Sequence, residues 1–139
     1  MIEKNDQDRL PHIPAVSQIL QPQSTSEKMI SGNLLRDPKG DGTNEVFETL
    51  VQSGQLRIER IVSSGQSSPS GFWYDQQDHE FVLVVQGEAV VAFADGRHVT
   101  LQTGTWLHIE PRQRHRVITT SENPQTIWLA VFWDAPGNS

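Results

Sequence analysis

Residues 71–96 read GFWYDQQDHEFVLVVQGEAVVAFADG. Phe81 to Val85 is an unbroken, valine-rich apolar run, the pattern of a strand covered on both faces. Gln86-Gly87-Glu88 turns the chain and Ala89 to Ala94 returns. Asp95-Gly96 is a two-residue hairpin signal, with both positions expected at positive φ. Ahead of the first strand stands a crowded aromatic and polar head, Phe72 to Glu80. Either this head lines the mouth of a barrel or it is only the way into a hairpin.

Working outward, short strands and turns alternate in both directions. Downstream, Arg97 to Leu101, Trp106 to Ile109, His115 to Thr119 and Thr126 to Phe132 read as strands. Turns at Thr103-Gly104, Glu110 to Arg114 and Ser121-Glu122-Asn123-Pro124 separate them. Upstream, residues 63–71, SSGQSSPSG, are a loop by composition, with nothing to bury. Leu56 to Val62 alternates as a half-buried strand, which places Arg57 and Glu59 in water. Val46 to Leu50 fits a strand or a short helix capped by Thr43 or Asn44, and the strands that follow favour the strand. Strands recurring about every ten residues indicate an all-β sandwich or closed barrel.

The first 32 residues differ. They are rich in Gln, Ser, Asp and Pro, and their scattered apolar residues do not add up to a core. They are expected to form an extension that is disordered or packs as a loose arm. Val16, Ile19 and Leu20 have the spacing for one short helical turn between Pro14 and Pro22, and Ile19 and Leu20 could equally dock against a partner subunit. The domain itself is expected over residues 33–139.

Bulk properties exclude several functions. A formal charge of -6 over 139 residues argues against a nucleic-acid partner, which would need clustered Lys and Arg. The absence of cysteine excludes disulfides, thiol nucleophiles and Cys-ligated zinc. No apolar run is long enough to cross a bilayer, and MIEKNDQDRLPHIPAV does not read as a secretory signal. A soluble, cytoplasmic protein with no membrane partner is the default expectation.

Residues 56 to 133 resemble the cupin superfamily of small jelly-roll β-barrels. The family's first motif ends in a Glu, six residues and a turning Gly. Glu80, Phe81 to Gln86 and Gly87 match it. The second motif opens with a Gly and runs through a short apolar strand and a Pro-containing loop to a His; Gly104, Trp106 to Ile109, Pro111 and His115 are similar to it. The chain departs from the family where the first motif carries paired histidines, since Trp73, Tyr74, Asp75 and Gln76 stand there. In the second motif Glu110 holds the usual Pro position, Arg112 replaces a Gly, and Thr119 stands for the terminal Asn.

The resemblance implies a cupin-type jelly-roll barrel that binds a small organic molecule and pairs as a homodimer. It also implies a divalent metal (Fe, Mn, Ni, Cu or Zn) held by Glu80 and His115, with Asp75 as the third ligand. Imidazole and carboxylate donors suit such ions. Without a metal, Glu80 and His115 would face each other across a polar cavity as an acid–base pair. That alternative corresponds to a non-catalytic, ligand-binding or structural cupin if the pair does no chemistry. Tyr74 and Trp73 are candidate substrate contacts. Arg112 and Arg114 are candidates for holding a ligand's carboxylate or phosphate. His79, adjacent to Glu80, should point to the opposite face of its strand.

Overall fold

The computed structural model describes residues 29–135, and the barrel is built from Gly32 onward. Val16 to Leu20, read as a helical turn or a partner contact, lies outside the described residues. Eight strands follow in order: β1 (Val46–Ser53), β2 (Leu56–Ser63), β3 (His79–Gln86), β4 (Ala89–Phe93), β5 (His98–Leu101), β6 (Trp106–Ile109), β7 (His115–Thr120) and β8 (Thr126–Trp133). The described residues contain no helix, so the strand reading of Val46 to Leu50 holds and extends to Ser53.

The strands form two antiparallel sheets. One has five strands in the order β1-β2-β8-β3-β6, the other three in the order β5-β4-β7. The valine-rich β3 lies inside the larger sheet, between β8 and β6. Its burial alternates, with Val82 and Val84 buried and Phe81, Leu83 and Val85 only half-buried, so one face of the run is fully covered where both were expected to be. Its inward side chains, Val82 and Val84, pack with Val91, Leu101, Ile109 and Ala130. Each fully buried side chain of this size contributes roughly 1.5–3 kcal/mol. Irregular register between Val84 and Gln86, and again between Val90 and Val91, adds the local twist that curls the sheets toward each other.

Two turns carry the hairpins that the opening stretch announces. Gly87 sits at φ 88°, and a Cβ there would come within 2.8 Å of the Thr126 Cα and 2.9 Å of the Gln125 carbonyl oxygen. The β4–β5 connection differs from expectation. Only Gly96 has positive φ (98°), while Phe93 exchanges backbone bonds with Gly96 and Arg97 around Ala94, Asp95 and Gly96. This is a three-residue loop whose last residue is left-handed. The Asp95 carboxylate, by accepting from the Arg97 backbone N–H at 3.0 Å, takes over part of the turn.

The register of β2 overturns one expectation. Arg57 pairs with Phe132, Glu59 with Ala130 and Ile61 with Trp128, so Arg57 and Glu59 share the inward face with Ile61. They are tolerated there because the guanidinium bonds the Glu59 carboxylate at 2.6 Å and lies 4.3 Å above the Phe132 ring. The outward residue, Arg60, is buried instead. Its guanidinium donates to Glu48 at 2.6 Å and to the carbonyls of Leu34 and Arg36, which brings the segment before β1 over the sheet. The 63–71 loop also buries more than its composition implies. Ser63 and Ser68 are buried, and the Ser68 backbone and hydroxyl both bond Val117 of β7.

Candidate functional site

The head before β3 is fastened to the start of β7 through the main chain. Tyr74 and His115 exchange backbone hydrogen bonds at 2.7 and 3.2 Å, and the Arg112 N–H donates to the Gln76 carbonyl at 2.8 Å. In an extended chain, residues two apart share a face. Tyr74 and Gln76 therefore point together into the barrel, and Trp73 and Asp75 point away. Glu80, two residues past Asp78, lies on the inward face of β3 opposite Ile109 of β6.

These side chains meet at one end of a cavity of about 110 Å³ between the sheets. Tyr74, Gln76, Glu80 and His115 supply the polar groups of that end, and Glu45, the residue before β1, lines the cavity as well. Ile61, Val82, Val91, Ile109 and Val117 form the aliphatic floor, and Phe47, Trp128 and Phe132 add aromatic walls. A concave, largely apolar space with a few convergent polar groups is the usual form of a small-molecule site.

His115 is buried and its tautomer is set by its surroundings. Nδ1 lies 2.9 Å from the Gln113 carbonyl oxygen, which can only accept, so Nδ1 carries the hydrogen. Nε2 is then left facing the Glu80 Oε1 at 3.6 Å, and that oxygen also accepts from Gln76 Nε2 at 2.7 Å. Burial opposes the charged imidazolium. Glu80 and the Gln113 carbonyl favour it and prevail, so the imidazole's pKa stands above its ordinary 6.5. The Tyr74 ring stacks on the imidazole, with centroids 5.4 Å apart and planes 24° apart. Burial, and then the charges of Glu45 and Glu80, raise the phenol's pKa above 10.0, so it stays protonated and able to donate. Glu45 is held by a short chain of bonds: Trp128 Nε1 donates to Ser63 Oγ, which donates to Glu45 Oε2 at 2.5 Å.

The remaining sequence candidates lie outside this cavity. The Asp75 carboxylate is exposed and bonds Arg112 at 3.1 Å, with Arg112 itself in a left-handed conformation at φ 63°. The guanidinium carbons of Arg114 and Arg116 are each 5.8 Å from the Trp73 ring. His79 points outward as expected and stacks with His108 and Trp133. Glu45 went unnoticed in the sequence because nothing before β1 marks which face it takes.

The donor set bears directly on a metal. Among the described residues, no three His, Asp or Glu side chains converge as a metal group would require. Asp75 does not join Glu80 and His115. Two protein donors fall short of the three or four that hold a resident divalent ion, so the residues present do not fit one.

The cupin domain family model matches residues 51–132. The chain belongs to the cupin family. Among solved structures, this cupin is 42% identical to a candidate mannose-6-phosphate isomerase from Ralstonia eutropha JMP134, covering 76% of this chain and 98% of that one with a TM-score of 0.72. A cupin superfamily protein from Desulfitobacterium hafniense DCB-2 shares 18% identity and a TM-score of 0.61, covering 70% of this chain and 84% of that one. An RmlC-like cupin from Desulfovibrio desulfuricans shares 19% identity and a TM-score of 0.62, covering 76% and 97%. At those identities the likeness is one of fold. No curated protein matches the chain. No helix among the described residues is long and apolar enough to cross a membrane.

Proposed function

We propose that this cupin binds a small organic molecule in its barrel and moves a proton on it, with Glu80 and His115 as the acid–base pair and Tyr74 as the hydroxyl donor. The observation that carries the reading is the arrangement of His115: Nδ1–H committed to the Gln113 carbonyl, Nε2 beside the Glu80 carboxylate, all within an apolar cavity. A general base needs this fixed tautomer and a pKa near the working pH. Nε2 takes a proton from carbon next to a carbonyl, and the C–H electrons form the enol double bond. The carbonyl oxygen takes the Tyr74 proton. The hydroxyl on the deprotonated carbon then gives its proton to the Tyr74 phenolate as its oxygen becomes the new carbonyl. Nε2 returns the first proton to the former carbonyl carbon, which completes an isomerisation with both side chains restored and no other reactant consumed. Similarity to a candidate isomerase at 42% identity supports that reaction type.

Proton NMR in heavy water, with small hydroxy- and amino-carbonyl compounds, tests this. The wild type should exchange the hydrogen next to the carbonyl, and His115→Ala or Glu80→Gln should slow exchange by roughly 10²–10⁴-fold. Ligand binding without exchange would overturn the proton-transfer role and leave a non-catalytic binding barrel. Elemental analysis of untagged protein is the second arm. Near-stoichiometric metal that is lost in both Glu80→Ala and His115→Ala would overturn the metal-free pair and place a divalent ion at Nε2.

The homodimer implied by the family belongs to the same reading. β1 is an edge strand, and Phe47, Leu50 and Val51 on it are exposed, as is Leu56 across the turn. A paired edge would cover them. A monomeric mass by light scattering across micromolar concentrations would overturn it.

A further inference from the structure

The charge of the cavity narrows what it can hold. Its lining contains two carboxylates, Glu45 and Glu80, and no lysine or arginine. Both carboxylates retain an oxygen with no protein donor among the described residues: Ser63 occupies only Oε2 of Glu45, and Gln76 and His115 engage only Oε1 of Glu80. A protonated His115 would balance one negative charge and leave the other.

The guanidinium groups nearby are either paired or lie outside the cavity lining. Arg57, over the Phe132 ring, is paired with Glu59 at 2.6 Å. Arg112 is paired with Asp75 on the rim. Arg114 and Arg116 lie near Trp73, on the outward side of the head. A phosphate or carboxylate in the cavity would face two carboxylates with no forked cationic partner, and such partners are what recognise those groups. The walls supply the opposite preference. Phe47, Tyr74, Trp128 and Phe132 line the space, and the Phe132 ring already attracts the Arg57 guanidinium at 4.3 Å. Aromatic rings beside carboxylates favour a desolvated cation.

We infer that the cavity takes a small organic cation, an amine or quaternary ammonium compound, and disfavours phosphorylated sugars. This rests on the barrel being a binding site, and it adds the ligand's charge. It also separates this chain from the substrate in the name of its 42% identical relative.

Calorimetric titration of the full chain tests charge at constant shape. Choline and 3,3-dimethylbutan-1-ol have nearly the same shape, but only choline is charged; mannose 6-phosphate is the anionic comparator. Choline should bind more tightly than its neutral twin, and mannose 6-phosphate should give no heat. Glu45→Gln keeps the acceptor for Ser63 and removes the charge. It should weaken choline by about 10- to 100-fold and leave the neutral twin unchanged. Glu80→Gln should act in the same direction, so that a folding defect in one variant does not decide the matter. Equal affinity for the twins, or binding of mannose 6-phosphate sensitive to His115→Ala, would overturn the cation and leave the barrel as a binding site. Failure of every probe to bind would overturn both.

Discussion

Tyr74 is the chain's one tyrosine, so its ionisation can be followed without interference from another phenol. Burial resists formation of the phenolate, and the charges of Glu45 and Glu80 resist it further. Absorbance of the tyrosinate should therefore rise with a midpoint above 10.0 in the folded protein. In Glu45→Gln the midpoint should fall, because one of the two opposing charges is gone. An ordinary midpoint in the wild type would place Tyr74 outside the field of the two carboxylates. At this scale the sequence was half legible. Glu80 and His115 were readable from motif spacing, because strand and turn lengths tie those positions to the barrel. Asp75 was misplaced for a simple reason: in an extended segment Tyr74 and Gln76 take the inward face, and the residue between them must leave it. Nothing local to Trp73–Gln76 reveals which parity is inward until the backbone bridge between Tyr74 and His115 is known.

Among the elements, the β3–β4 hairpin depends on one glycine. At Gly87 a side chain would meet main-chain atoms of Gln125 and Thr126, and the left-handed φ adds its own strain. Gly87→Ala should cost about 2–4 kcal/mol, measured by urea unfolding. A loss within about 0.5 kcal/mol would mean that the contact relaxes freely. The strands themselves were read almost to their ends, since period-2 patterning and turn residues act locally. Polar residues within strands were not. Arg57 and Glu59 alternate with Leu56 and Ile58 as solvent-facing residues would, yet the register against β8 turns them inward. They pair with each other there, half-buried, and such a pair has no signature in hydropathy. Arg60 is the converse case, an arginine buried by the main-chain carbonyls it bonds.

For the molecule as a whole, the Glu80–His115 pair makes stability depend on pH in a defined direction. The folded imidazole has a pKa above the ordinary 6.5, so the folded state holds its proton more tightly than the unfolded chain does. The stabilisation is fully present below that ordinary value, while Glu80 remains ionised, and is lost as pH rises through the folded pKa. The difference in unfolding free energy between wild type and His115→Gln should therefore shrink from pH 6 toward pH 9. A difference that is constant or grows with pH would show that the pair does not favour the imidazolium. The barrel was legible from the sequence at this scale because eight strands with turns between them leave few other closed arrangements.

The link between the head and β7 has a consequence for how such a site changes over generations. Tyr74 and Gln76 are positioned by their own peptide groups, through bonds to His115 and Arg112 that any non-proline residue could make. The scaffold of the mouth is thus indifferent to the side chains it displays. Other side chains at the positions of this phenol and this amide would be held by the same main-chain bonds. On this frame new chemistry requires no new architecture, only a different residue in a socket that is already held in place.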